Sequence, residues 1–305
     1  MQKIIENYNL ITVLGPTAGG KTSFATSLAA DLNAEIISAD SRQVYKGMDI
    51  GTGKDVAEYS LDGKKIPYHL IDILEAGEKY NVFLFQKDFF KAFDKVKSKG
   101  KTAIMCGGTG MYLEAVLNNY ELVEVPENTE LRDSLKNKSI EELKIILTSL
   151  KNVHNTTEFD TAKRAIRAIE IETYYQNNPK KITEYPQINS YVIGIKHERE
   201  VQRRRITERL HQRLQEGMID EVRNLIKKGV STDTLIYYGL EYKFITLFLL
   251  GELSYDEMVE KLNIAIHQFS KRQMTWFRRM EKKGTKINWF SNYEEFEIFS
   301  NKNIQ

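Results

Sequence analysis

Eight residues constrain this chain more than any others. Gly15-Pro16-Thr17-Ala18-Gly19-Gly20-Lys21-Thr22 fits the phosphate-cradling pattern G-x-x-x-x-G-K-[ST] at every fixed position. The apolar run Leu10 to Leu14 leads into it and reads as a buried strand, and Ser23 to Leu32 follows with helical composition and no breaker. Strand, glycine loop and helix start are the setting in which such a loop holds phosphate. Glycines let several N–H groups converge on one anion, and the helix N-terminus adds partial positive charge. Lys21 is then placed to reach outer phosphates, and the Thr22 hydroxyl to ligate Mg²⁺. A glycine-rich turn without a ligand is the competing reading, and the flanking strand and helix weigh against it.

A chain of 305 residues accommodates one large domain or a core carrying a smaller one. With 41% hydrophobic and 28% charged residues it has the composition of a soluble globular protein. The single cysteine, Cys106, excludes a disulfide framework and a zinc-ligand set. Met1 to Glu6 runs straight toward the first strand, no apolar run approaches membrane-spanning length, and a cytoplasmic location is expected. The net charge of +2 conceals basic clusters at Lys163–Arg167, Arg199–Arg213 and Lys271–Lys283. Such clusters suit a polyanion, although a solvated helix face is the commoner explanation for any single one.

Ala34 to Ala39 reads as a second strand ending at Asp40-Ser41-Arg42-Gln43. In parallel α/β sheets ligands sit beyond the carboxyl ends of strands, so Asp40 falls on the edge that carries the glycine loop. There it can accept a proton or hold Mg²⁺ through water; a turn aspartate is the alternative. Val44 to Lys54 is long and irregular, in the manner of a functional loop. His69 to Ile73 suggests a short strand, Phe83 to Lys99 an amphipathic helix, and Thr102 to Cys106 a buried strand closing on Gly107-Gly108-Thr109-Gly110. Energy-transducing ATPases carry an Asp after such a strand, and here there is none, which argues for pyrophosphate binding without hydrolysis.

Leu131 to Gln176 is lysine- and glutamate-rich with helical periodicity. Phe159, Ala162, Ile166, Ile169 and Thr173 share one face of its last helix, leaving Lys163, Arg164 and Arg167 for an outside partner. A polar connector over Pro179–Pro186 leads to a returning strand at Tyr191–Ile195. The helix from Arg199 buries Ile206, Leu210 and Leu214, and sets Arg205, Arg209 and Arg213 in a stripe able to meet a pyrophosphate, or simply to face solvent. A last long helix opens on the capping box Ser254-Tyr255-Asp256-Glu257 and stops at Gly284. Its Lys271-Arg272-Gln273-Met274-Thr275-Trp276-Phe277-Arg278-Arg279 suits stacking on bases, with Trp276 and Phe277 equally readable as core. The fold expected is α/β: residues 1–122 as the first part of a parallel core, 123–188 as a helical insertion, 189–290 as core completion and C-terminal helices, and 291–305 as a tail.

GPTAGGKT (15–22), ISADSRQVYKGMDIGTGK (37–54), HLID (69–72), GGTGMY (107–112), RAIRAIE (164–170), RRITERL (204–210) and KRQMTWFRR (271–279), in this order, resemble the tRNA dimethylallyltransferase family. The resemblance implies a P-loop nucleotide-kinase-like parallel sheet core. It implies transfer of a dimethylallyl group from dimethylallyl diphosphate to the exocyclic amine of the adenosine 3′ of certain tRNA anticodons, by a monomer using Mg²⁺. By position, Gly15, Pro16, Thr17, Ala18, Gly19, Gly20, Lys21 and Thr22 would hold the diphosphate, with Thr22 on the metal and Arg205 nearby. Asp40 would be the base, and Thr109 and Arg209 would touch the diphosphate. Asp40, Ser41, Arg42 and Gln43, then Lys163, Arg164, Ala165, Ile166 and Arg167, then Lys271 and Arg272, would lie against tRNA. Three words depart from the family pattern: Asn155-Thr156-Thr157-Glu158, Gly239-Leu240-Glu241-Tyr242-Lys243, and Ile266-His267. All fall where RNA contacts are expected. An isopentenyltransferase acting on free adenine nucleotides, an ATP-using small-molecule kinase, and a non-catalytic RNA-binding module are the rival readings, separable by the acceptor used, the donor consumed, and the state of cellular tRNA.

Overall fold

Continuous apolar runs, as opposed to alternating ones, mark strands covered on both faces, and such strands assemble into parallel sheets. The computed structural model, which describes residues 6–151, 159–178 and 184–302, has that sheet. Its strands are β1 (Leu10–Leu14), β2 (Glu35–Ser38), β5 (Tyr68–His69), β6 (Ala103–Gly107), β7 (Ser190–Ile195) and β8 (Ile287–Phe290), in the order β5-β2-β6-β1-β7-β8. Every pairing in it is parallel. A separate hairpin pairs β3 (Ser60–Leu61) with β4 (Lys64–Lys65). The crossovers are helices: α1 (Lys21–Leu32) after β1, α2 (Val82–Ser98) before β6, and α3 (Gly110–Leu117) after it. The register sets Leu14 beside Gly107 and Ser38 beside Cys106, so the chain leaves β1, β2 and β6 on one edge.

Past β7 the chain continues into α7 (Arg199–Gln215), α8 (Met218–Lys227), α9 (Thr232–Tyr238), α10 (Leu240–Leu249) and α11 (Tyr255–Lys282). The Ser254 side chain accepts from Glu257 N–H, and the Glu257 carboxylate returns the bond, the capping box expected from the sequence. Ile206, Leu210, Met218, Leu235, Tyr242, Leu262 and Ile266 form the apolar core that joins these helices. Ile266, half of one departure from the family pattern, is therefore packing. His267, the other half, bonds to the Thr207 hydroxyl at 3.3 Å.

Expectations change at two places in this part of the chain. The strand at His69–Ile73 stops at His69, because Leu70 and Asp72 adopt left-handed backbone (φ 61° and 54°) and the Asp72 carboxylate is captured by the buried Lys54 ammonium. The stretch beyond residue 290 is no tail: α12 (Tyr293–Lys302) buries Phe296 against Phe24 and Phe290, and β8, just before it, is the edge strand beside β7. Three apolar residues around Asn288, just after a long helix, carry too little periodicity to announce a strand.

Glu121–Tyr185 forms a unit of its own, against 123–188 expected, with Met1–Tyr120 and Pro186–Gln305 making the other. It holds α4 (Thr129–Leu135), α5 (Ile140–Leu150) and α6 (Ala162–Asn177). Leu135, Leu143, Leu147, Ala165, Ala168 and Ile169 make its core, with Phe159, Ala162 and Ile166 packed alongside. Ala165 is thus core and not a contact for an outside partner. Arg167 likewise turns inward: it pairs with Glu170 and donates to the Val125 carbonyl at 2.8 Å. Glu170 also takes Arg132 and the Asn128 N–H; burial alone would raise its carboxyl, but those donors hold it below the ordinary range. Lys163 and Arg164 stay exposed. Asn155-Thr156-Thr157-Glu158 and most of the Pro179–Pro186 connector lie outside the described residues.

Gly15 is where β1 and β7 press closest to the glycine loop. A methyl group there would stand 2.6 Å from the Ile195 carbonyl oxygen, a backbone atom that cannot swing aside. Gly15→Ala is expected to cost about 1–3 kcal/mol through overpacking. A calorimetric melt reads this directly, and an unchanged midpoint would mean that the approach is not tight.

Candidate active site

The loop after β1 is shaped by left-handed residues at Ala18 and Gly20 (φ 57° and 80°). It is held from outside by its own carbonyl oxygens. Pro16 O accepts from Lys21 Nζ at 2.8 Å, Thr17 O from Gln202 Nε2 at 2.7 Å, and Ala18 O from Arg205 Nε at 3.1 Å. Gly19 O is bonded by His197 Nε2 at 3.1 Å; since a carbonyl only accepts, this nitrogen carries the proton. Four consecutive carbonyls are thereby tied back, three of them to α7 or the turn before it. The α1 N-cap, Gly20, supplies no side-chain bond, so the first-turn amides lack an internal partner and face the cleft.

That cleft is about 810 Å³ and is lined by Thr17–Thr22, Asp40–Gln43, Thr109, Arg205, Arg209 and Arg213, among others. One side is cationic. Burial pushes the Lys21 ammonium below its ordinary value, with Arg209 acting in the same direction and Asp40 against it. Burial, reinforced by Arg213, brings the Arg209 guanidinium down to about 10, so it remains charged at neutral pH. Arg213 lies 3.5 Å from the Asp55 carboxylate, and both guanidinium groups occupy the space that a side chain on Gly53 would fill. Burial raises the Glu241 carboxyl, Asp40 pushing the same way while Arg213 and Arg209 oppose it. Burial likewise sends the Cys106 thiol up to about 12, which leaves it protonated and no nucleophile.

Asp40 combines the two roles that its sequence position allowed. Its Oδ1 accepts the Arg42 and Gln43 N–H groups at 2.8 and 3.4 Å, the geometry of a turn aspartate. Oδ2 has no protein donor recorded among the described residues, and the residue lines the cleft. Thr109 Oγ1 accepts the Ser41 N–H at 3.2 Å, joining the Asp40 turn to the β6–α3 turn. Arg42 donates Nε to the Tyr238 carbonyl at 2.9 Å and lies over the Tyr238 ring. Gln43 accepts from the Ser38 hydroxyl and donates to Gly53 O, at 3.1 and 3.2 Å. Both side chains therefore shape the wall of the cleft.

Lys271 and Arg272 are exposed on α11. Of the two aromatics beside them, Phe277 is fully buried core. Trp276 packs on Gly110, with the Arg279 guanidinium 4.0 Å above its ring and Arg279 bonded to the buried Glu114 at 2.5 Å. The base-stacking alternative thus gives way to packing for both.

His197, Gln202 and Gln273 were not singled out as site residues from the sequence. For Gln273 a signal existed: it lies on the apolar row Met258, Leu262, Ile266, Ser270, Gln273, Phe277, Met280, where a polar side chain must have buried partners. His197 and Gln202 carry no pattern, since their partners are carbonyls 178 and 185 positions away.

Fold and cleft together define a class: a parallel α/β protein whose glycine-rich loop and helix N-terminus open on a cationic cleft beside a strand-end aspartate. The model of the IPP transferase family matches residues 43–280. This chain belongs to that family. It is 61% identical over 285 residues to tRNA dimethylallyltransferase 1 of Parabacteroides distasonis, covering 93% of each chain. It is 59% identical over 283 residues to tRNA dimethylallyltransferase 2 of Bacteroides fragilis, covering 93% of this chain and 92% of that one. The solved tRNA isopentenylpyrophosphate transferase of Bacillus halodurans superposes with a TM-score of 0.67 at 32% identity, over 93% of this chain and 89% of that one. A eukaryotic dimethylallyltransferase, solved acting on tRNA, shares the fold with a TM-score of 0.75 at 20% identity.

Proposed function

We propose that this chain transfers a dimethylallyl group from dimethylallyl diphosphate to the exocyclic amine of the adenosine 3′-adjacent to the anticodon of tRNA, in the cytoplasm, as a monomer, releasing pyrophosphate. One observation carries the reading: a loop with four carbonyls tied back leads into the first-turn amides of α1, which with Lys21 and Arg209 meet the cleft that Asp40 lines. That is the constellation for a reaction in which an anion departs and a weakly basic nitrogen attacks.

An allylic C–O bond breaks with its electron pair going to the diphosphate. The amides of the α1 first turn, Lys21 and Arg209 stabilise that growing charge, with Arg205 beside Gly20. The adenine amine forms the new C–N bond and gives up a proton, which Asp40 accepts through Oδ2. The target base must leave its stack to enter the cleft. The described residues hold no cluster of three or more His, Cys, Asp or Glu that would cage a metal. A cation that keeps its waters and rides on phosphate oxygens needs fewer protein ligands, and the Thr22 hydroxyl is a hard oxygen donor in the cleft that fits Mg²⁺. Bound there, Mg²⁺ would neutralise charge on the departing diphosphate. Lys163, Arg164, Lys271 and Arg272 supply exposed positive charge for the RNA backbone.

Purified protein incubated with allyl-labelled dimethylallyl diphosphate and an unmodified tRNA transcript is expected to move label into the RNA, with equimolar pyrophosphate and no consumption of ATP. Absence of label in RNA, or equal labelling of free AMP, would overturn the reading.

A further inference from the structure

Gln273 is buried at the site, 7% exposed, and its amide is bonded at both the oxygen and the nitrogen. Oε1 accepts the Thr17 N–H of the glycine loop at 2.8 Å, and Nε2 donates to Gly108 O at 2.9 Å. The orientation is fixed, because a flipped amide would set donor against donor and acceptor against acceptor. From Gly108 the chain passes to Thr109, whose hydroxyl oxygen takes the Ser41 N–H, and Ser41 follows Asp40. The glycine loop, the β6–α3 turn and the Asp40 turn are three separate excursions beyond the ends of β1, β6 and β2. The sheet's own ladder ends at the Leu14–Gly107 pair between β1 and β6, and at the Ala39 N–H to Cys106 O bond of 2.7 Å between β2 and β6. Gln273 joins the first loop to the second, and Thr109 joins the second to the third.

We propose that Gln273 is a positioning residue that fixes the separation between the diphosphate loop and the Asp40 turn. Its meaning for catalysis rests on the proposed transfer reaction; the physical linkage does not. A bond-forming step between a departing diphosphate and an activated amine depends on that gap, and a misplacement of about 1 Å can cost about 10²-fold in rate. Gln273 makes its bonds to the loops themselves, so its loss acts on turnover and leaves substrate affinity in place. It also ties the cationic, exposed side of α11 to the phosphate loop through a single side chain.

The test uses the full chain with Gln273→Met, which keeps the volume and loses both bonds, and Gln273→Glu, which is isosteric and keeps only the acceptor for Thr17. Two readouts are taken: kcat and KM for transfer to a tRNA transcript, and hydrogen–deuterium exchange with and without inorganic pyrophosphate. For Gln273→Met, kcat is expected to fall about 10–100-fold while KM for donor and RNA stays within about threefold. In the native chain, pyrophosphate should slow exchange in residues 15–22 and also in 38–43 and 107–112. In both variants the slowing should be confined to the glycine loop. Native kcat in Gln273→Met, a loss wholly in KM for RNA, or unchanged protection of 38–43 would overturn the proposal. Should Gln273→Met fail to fold, Gln273→Glu carries the same comparison. A native chain that gains protection at all three segments yet transfers no label would sink the proposed function and uphold the linkage.

Discussion

Asp40→Asn is expected to lower the transfer rate by roughly 10²–10⁴-fold, the usual contribution of a positioned general base, with the fold and the binding of tRNA unchanged. The choice of asparagine follows from the geometry. Oδ1 of Asp40 holds the Arg42 and Gln43 N–H groups, so alanine would release the turn, and with it the Thr109–Ser41 bond and the wall built by Arg42 and Gln43. Asparagine keeps an acceptor oxygen on that turn and replaces the second oxygen, the one available to take a proton, by an amide that cannot. A loss in Asp40→Ala alone would report a broken loop; a loss in both reports the missing base. Single-turnover rates with saturating tRNA separate the two, and a near-native rate in Asp40→Asn would remove Asp40 from proton transfer.

The parts of this protein that were legible in its sequence share one property: their partners lie within a turn or two of chain, or their pattern repeats. The glycine loop, the buried strands β1 and β6, the capping box at Ser254 and the buried side of α7 at Ile206 and Leu210 are all of this kind. What stayed hidden depends on long-range closure. Lys54 reads as the end of a polar loop, yet its buried ammonium gathers Tyr45 O, Asp49 and Asp72 and bends the chain away from strand geometry at Leu70. Glu221 reads as a surface helix residue, yet it accepts the N–H groups of Asp49, Ile50 and Gly51 at 2.7, 2.7 and 3.0 Å and the Tyr242 hydroxyl at 2.7 Å. Those bonds pin the loop whose Gly53 packs under Arg209 and Arg213. The Gly239-Leu240-Glu241-Tyr242 word, set aside as a departure from the family pattern, supplies both Tyr242 for this knot and Glu241 for the cleft wall. Charge stripes were legible as stripes, but the partner of each charge was not. Arg205 reaches a loop carbonyl, Arg213 an aspartate and Arg167 a buried glutamate on its own helix, whereas Arg209 lines the cleft with no ion pair among the described residues.

That distribution makes Arg209 the second residue with a large expected effect, and it ties function to stability with opposite signs. Arg209 is partly buried beside Arg213, and burial with this like-charged neighbour has already drawn its guanidinium down to about 10. Arg213 is the one anchored to Asp55. Two cations held side by side in the free protein are a cost to folding that an arriving diphosphate removes, which is the arrangement expected where stability is exchanged for binding. Arg209→Gln is therefore expected to lower transfer by roughly 10²–10³-fold, as for loss of one donor to a developing oxyanion. It should leave the melting temperature of the ligand-free protein unchanged or higher. Inorganic pyrophosphate should stabilise the native chain by about 2.7 kcal/mol at a concentration 100 times its Kd. Arg209→Gln should need a substantially higher concentration for the same rise in midpoint. Melting curves across a pyrophosphate titration, run beside transfer rates, check both signs at once. A variant with native transfer and a native response to pyrophosphate would reassign the guanidinium to packing on Gly53, and the leaving group would then rest on Lys21, Arg205, the α1 amides and the metal.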